Sequence, residues 1–81
     1  MNLQTTIKEY KLEEVFADEG NRVWKGHGPH QNETLYVSAQ DGEPQVTLTI
    51  MPEDHEAVPL IVVFSAWNEA IHELIERWVC E

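Results

Sequence analysis

Two stretches of strict alternation mark the centre of this chain as a β-hairpin. Over residues 34–39, Leu35, Val37 and Ala39 fall on one side while Tyr36 and Ser38 fall on the other. Over residues 45–51, Val46, Leu48 and Ile50 share one side and Thr47 and Thr49 the other. Side chains repeat every two residues along a strand, so each stretch has one apolar and one polar face. Between them, Asp41-Gly42 is a hairpin turn signal, lengthened by Gln40 and Glu43-Pro44. An isolated hairpin is at best marginally stable in water, so its apolar face requires a cover.

The C-terminal segment supplies one. Trp67, Ala70, Ile71, Leu74, Ile75 and Trp78 recur at i, i+3, i+4, i+7, i+8 and i+11, the stripe of an amphipathic helix. Ser65 is the expected N-cap, and the two tryptophans on the stripe can bury much apolar area. Ahead of it, Leu60-Ile61-Val62-Val63-Phe64 has a β-branched centre that favours a short buried strand, with a first helical turn as the alternative. Residues 52–59 read as an acidic loop.

The N-terminal segment has two readings. Thr6-Ile7-Lys8-Glu9 has the spacing of a capping box, yet Ile7, Leu12, Val15 and Phe16 scatter around a helical wheel. With period two, Tyr10, Leu12 and Phe16 share a face opposite Glu9, Lys11 and Glu13. The turn cluster Asp18-Glu19-Gly20-Asn21 then leads into Arg22-Val23-Trp24-Lys25, so strand, turn, strand is the preferred reading. The fold predicted is α+β: a small antiparallel sheet of about four strands, five in the alternative count, with one amphipathic C-terminal helix on one face.

Length and composition agree with one compact domain over residues 1–81. The 42% apolar content is too high for a disordered acidic tail. The single cysteine, Cys80, has no intramolecular partner, and a lone thiol fits a reducing compartment. No signal-peptide pattern opens the chain and its longest apolar run is far short of a membrane span. The expected location is cytoplasmic, with no membrane partner.

Charge carries the functional expectation. Fifteen acidic residues against five Lys and Arg give a formal net charge of −10, a field that attracts basic partners and repels nucleic acid and anionic membranes. On the predicted helix, Glu69, His72, Glu73 and Glu76 lie opposite the stripe, with Arg77 able to pair with Glu73. Glu69 and Glu73 are like charges at i and i+4, a pairing that costs ~0.2–0.5 kcal/mol, and Glu76 sits near the negative end of the helix dipole. The row therefore runs against local stability. One explanation is solubility, at which Asp and Glu are effective. The other is a docking face for a basic protein, since helical carboxylates at i and i+4 rise ~6 Å along the axis, roughly a phosphate spacing. Glu13, Glu14, Asp18 and Glu19 around the first turn, and Glu53, Asp54 and Glu56 in the acidic loop, suit either explanation.

Other constellations are weaker. His27 and His30, with His55 or Glu33, have a permissive but unspecific metal-ligand spacing, so no metal or cofactor is expected. Cys80 and His72 lie too far apart along a helix for a catalytic dyad. No phosphate-binding loop, enzyme signature or basic aromatic patch is present, which disfavours catalysis and direct nucleic-acid binding. Trp24 and Tyr36 read either as exposed contact anchors or as residues closing a second sheet face. The expected partner surface is Glu69, Glu73, Glu76, Glu53, Asp54, Glu56, Trp24 and Tyr36. The expected function is a small non-enzymatic interaction protein that binds and blocks a larger basic, nucleic-acid-binding partner. By size and charge alone this parallels phage-encoded anti-defence inhibitors of the anti-CRISPR kind. The alternatives are a toxin-neutralising immunity protein and a homodimeric housekeeping domain, using an uncovered sheet face or edge strand.

Overall fold

In the computed structural model, which describes residues 2–26 and 32–80, the chain forms α1 (Leu3–Glu9), β1 (Glu13–Asp18), β2 (Asn21–Lys25), β3 (Glu33–Gln40), β4 (Val46–Pro52), β5 (Leu60–Phe64) and α2 (Glu69–Cys80). The five strands form one antiparallel sheet in the order β1-β2-β3-β4-β5. The expected α+β fold with a C-terminal helix is what the chain adopts. A short N-terminal helix is added to it.

Register explains which residues enter the core. Trp24 pairs with Val37, Val37 with Leu48, and Leu48 with Val62, so these side chains share one face of the sheet. On that face Trp24, Leu35, Val37, Val46 and Leu48 are buried against Leu12 and against Ile71, Ile75 and Trp78 of α2. Trp24, at 4% exposure, is a core residue and not a surface anchor. Alternation alone left it undecided because Val23 and Trp24 are adjacent and both apolar. The cross-strand pairing to Val37 settles its direction.

The helix docks in a rotation different from the one its full stripe predicts. Ile71, Ile75 and Trp78 are buried, whereas Leu74 is 41% exposed and Ala70 is also exposed. Nor does Ser65 cap it. Asn68 does, accepting the Ala70 N–H on its side chain at 2.8 Å and the Ile71 N–H on its carbonyl at 3.1 Å. Trp67 therefore lies outside the helix, packed on the rim of the core.

The rotation has a cause in α1, which packs beside α2. The Thr6 hydroxyl, fully buried, donates to the Asn2 carbonyl at 3.2 Å. Having spent its single hydrogen there, its oxygen accepts from His72 Nδ1–H at 3.0 Å. His72 Nε2 then faces the Tyr10 hydroxyl at 3.4 Å as its acceptor. Partial burial raises the Tyr10 pKa above its ordinary value, and the nearby Glu76 and Glu9 push the same way, so this hydroxyl stays a neutral donor. The clasp turns the His72 flank of α2 toward α1 and the Ala70 and Leu74 flank outward.

α1 ends in a Schellman motif. The Lys11 N–H donates to the Lys8 carbonyl at 3.3 Å and the Leu12 N–H to the Ile7 carbonyl at 3.0 Å, with Lys11 at φ 53°. Leu12 is thereby thrown into the core beside Ile7. Downstream, β1 carries a bulge between Glu14 and Phe16. The extra residue, Val15, reverses the alternation, so Leu12 points into the core while Phe16 pairs with Val23 on the opposite face. At the far end of β2, a side chain on Gly26 would meet Leu35 at 3.2 Å and the Trp78 ring at 3.4 Å. That close approach seats the indole, whose Nε1 donates to Glu33 Oε1 at 3.0 Å.

Two outcomes are expected. Trp78→Ala removes a buried ring and costs ~3–5 kcal/mol, while Leu74→Ala, at the helix margin, costs ~1 kcal/mol; urea unfolding of both variants measures the gap. Lys11→Gly relieves a left-handed residue worth ~1–2 kcal/mol against the added chain entropy of ~0.5–1 kcal/mol, so a small rise in melting temperature is expected.

Candidate functional site

Both helices cover the same face of the sheet, and the two sides of the molecule differ in chemistry. On the helical side the carboxylates are exposed. Glu69, Glu73 and Glu76 all lie on the outer surface of α2. Glu76 approaches His72 Nε2 at 3.9 Å in an i, i+4 contact. Arg77 borders the same shallow surface as Glu73 and Glu76, and among the described residues it forms no ion pair with Glu73.

Two further groups of acids lie at the two ends of the sheet. Asp18 and Glu19 occupy the β1–β2 turn, which takes positive φ at Glu19 (52°) and Gly20 (83°), the conformation of a tight two-residue hairpin turn. The neighbouring β3–β4 turn is tied to it by the Asp41 N–H, which donates to the Gly20 carbonyl at 2.8 Å. Arg22 lies between them, 3.4 Å from Asp41 and 3.6 Å from Glu14. These pairs are solvent-exposed and worth at most ~1 kcal/mol.

At the opposite end, Glu53, Asp54 and Glu56 fill the β4–β5 loop, all exposed. The Asp54 carboxylate accepts the Glu56 N–H at 2.9 Å and orders the loop. The C-terminal end of α2 lies at this same end, because Trp78 reaches Glu33 at the start of β3, beside Pro52 at the end of β4. Since α2 starts beyond β5 near the β3–β4 turn, its carboxylate row runs from one acidic end to the other. The structure thus brings the C-terminal end of the helix row to the same end of the sheet as the loop cluster. Trp24 is separated from it in the core, and Tyr36 lies on the far side of the sheet.

Across β3, β4 and β5 that far side is uncharged, while Glu13, Asp18 and Lys25 fall on it by register at β1 and β2. Phe16, Val23, Tyr36, Thr47, Thr49, Ile61 and Val63 lie on it by register, and neither α1 nor α2 covers it. Phe16, Ile61 and Val63 are more than half exposed. Around the β5 edge the apolar surface turns the corner. There Leu60, Val62, Leu74 and Trp78 line a narrow groove floored by Leu35, Leu48 and Ile50. Sequence reasoning allowed for an uncovered sheet face or edge strand but did not place it at β5, because it treated Leu60 to Phe64 as a buried strand. The available signal was that both faces of the strand are apolar while only one helix follows it.

His72, committed to Thr6 and Tyr10, holds the helices together, and Cys80 is exposed. His27 and His30 lie outside the described residues. Among the described residues, no group of three or more His, Cys, Asp or Glu is placed to hold a metal ion, and no helix is long and apolar enough to cross a membrane. Compared with protein-family models, curated proteins and solved structures, the chain matches none.

Proposed function

We propose that this chain is a small non-enzymatic interaction protein that docks a larger basic protein and blocks its anion-binding surface. The observation that supports the reading is the exposed row itself: Glu69, Glu73 and Glu76 lie outward on α2, a helix that runs from the end of the sheet with the acidic turns to the end with the acidic loop. A formal charge of −10 behind such a row supplies long-range attraction. A groove lined by Lys and Arg that ordinarily holds a nucleic-acid backbone is the partner surface such a row fits, because it is already arranged for spaced anions. Tyr36, facing away from the row, is not part of this docking face, and neither is Trp24.

Solubility accounts for acid anywhere on a surface. It does not require acids at i and i+4 on one helix, where like charges repel, nor Glu76 near the negative end of the helix dipole. A charge-bearing face selected for a partner accepts both costs.

Replacing Glu69, Glu73 and Glu76 together by Lys tests the reading. Surface changes seldom exceed ~0.5 kcal/mol each, so the triple variant is expected to fold, which circular dichroism and a thermal melt check. Association with the partner captured from a host lysate is expected to weaken at least about tenfold, and wild-type association to slow steeply as rising salt shortens the screening length below ~10 Å. Equal binding by the folded triple variant would reduce the row to a solvated helix face.

A further inference from the structure

The sheet has two edges and they are built differently. β1 carries Glu13, Glu14 and Asp18 and is broken by the bulge at Val15. Charges and bulges on an edge strand oppose pairing with another chain. At the other edge, β5 reads Leu-Ile-Val-Val-Phe, regular throughout its pairing with β4 and without a charge. Pro59 sits just before the strand and leaves its five residues unguarded. Among the described residues their outward N–H and C=O groups meet no neighbouring strand, since β5 ends the sheet order.

We propose that β5 is a self-association edge, on which a second copy of this chain pairs antiparallel to extend the sheet. A two-fold axis through Val62 sets Val62 opposite itself, Ile61 opposite Val63 and Leu60 opposite Phe64, so the strand is complementary to itself in an isologous contact. Every one of those pairs is apolar on apolar. The exposed surface at this edge includes Leu60, Ile61, Val63 and Leu74, each 41–58% exposed, and Val58 at 89%. Together they set exposed apolar side chains on both sides of the free backbone edge, the surface an isologous strand pairing would bury.

Charge selects the occupant. Residues 57–68 contain no Asp, Glu, Lys, Arg or His, so a basic partner finds no carboxylate in this stretch. A second copy brings an equally uncharged strand. The pairing must still overcome repulsion between two bodies of formal charge −10, and salt screens that repulsion. Self-association is therefore expected to strengthen with salt, opposite in sign to the salt response of docking to a basic protein. The two readings fail separately.

Sedimentation of the purified chain over a concentration series, with reductant present to keep Cys80 from linking copies, is the test. A dimer whose dissociation constant falls roughly tenfold from low to molar salt is expected, with β5 amides gaining hydrogen-exchange protection as concentration rises. Ile61→Lys with Val63→Lys adds charge on the exposed side of the strand while lowering the net charge, so loss of the dimer in this variant cannot come from overall repulsion. The folded variant is expected to stay monomeric. A wild-type chain that is monomeric at every salt and concentration would overturn the proposal, as would a dimer that leaves β5 amides unprotected. Protection of β5 only on addition of a basic protein would assign the edge to that partner instead. Should the double variant not fold, the concentration-dependent exchange of the wild type decides the matter alone.

Discussion

Ile71, Ile75 and Trp78 sit over Leu35, Val37 and Leu48, and the position of that contact across the sheet governs the rest of the molecule. A five-stranded sheet is wider than one helix. With α1 fixed against the His72 flank of α2 through Thr6 and Tyr10, the helical layer is weighted toward one side, and the core face of β5 is left partly bare. Leu74 then becomes the wall of a groove where a centred helix would bury it. The groove beside β5 accompanies the clasp between the two helices, in which the hydrogen of one buried hydroxyl is already committed to Asn2.

Two surfaces of opposite character result, and they are not in competition. Acid is concentrated on the helical layer and at the sheet ends, and the apolar area on the open face and the β5 edge. If β5 pairs about a two-fold axis perpendicular to the sheet, both helical layers face the same way, and the carboxylate rows of two copies stand on one side of the assembly. A basic partner with two matching sites then gains from effective concentration without any added contact.

The alternating strands and the amphipathic helix were legible because their apolar periods are unbroken: residues 34–39 lie within β3, residues 46–51 of the second stretch within β4, and the helical stripe falls largely within α2. The first helix was not, for reasons visible in its residues. Seven residues are too few for propensity to declare a helix, and its left-handed end is held by Lys11 where Gly is the usual marker. The bulge at Val15 then inverted the period on which the strand reading of Leu12 and Phe16 relied. For the candidate site, the helix carboxylates were legible as an exposed row, since they lie opposite the stripe under either rotation. The return of the row's C-terminal end to the side of the acidic loop was not, because it depends on which end of the sheet the helix reaches. The β5 edge depends on strand order, which no local pattern encodes.

The sequential strand order has a kinetic consequence. Each strand pairs with the one before it in the chain, so the sheet can assemble by successive hairpins, each closing a short loop. The bonds of His72 to Thr6 and Tyr10 are of another kind, joining residues 66 and 62 positions apart. Closure entropy grows only slowly with length, about 0.6 kcal/mol per doubling, but these bonds have nothing to form against until both helices rest on a finished sheet. The clasp is thus the expected last step of folding and the first contact to open. While it is open, the N-terminal helix is held to the core by the packing of Leu3, Ile7 and Tyr10 alone.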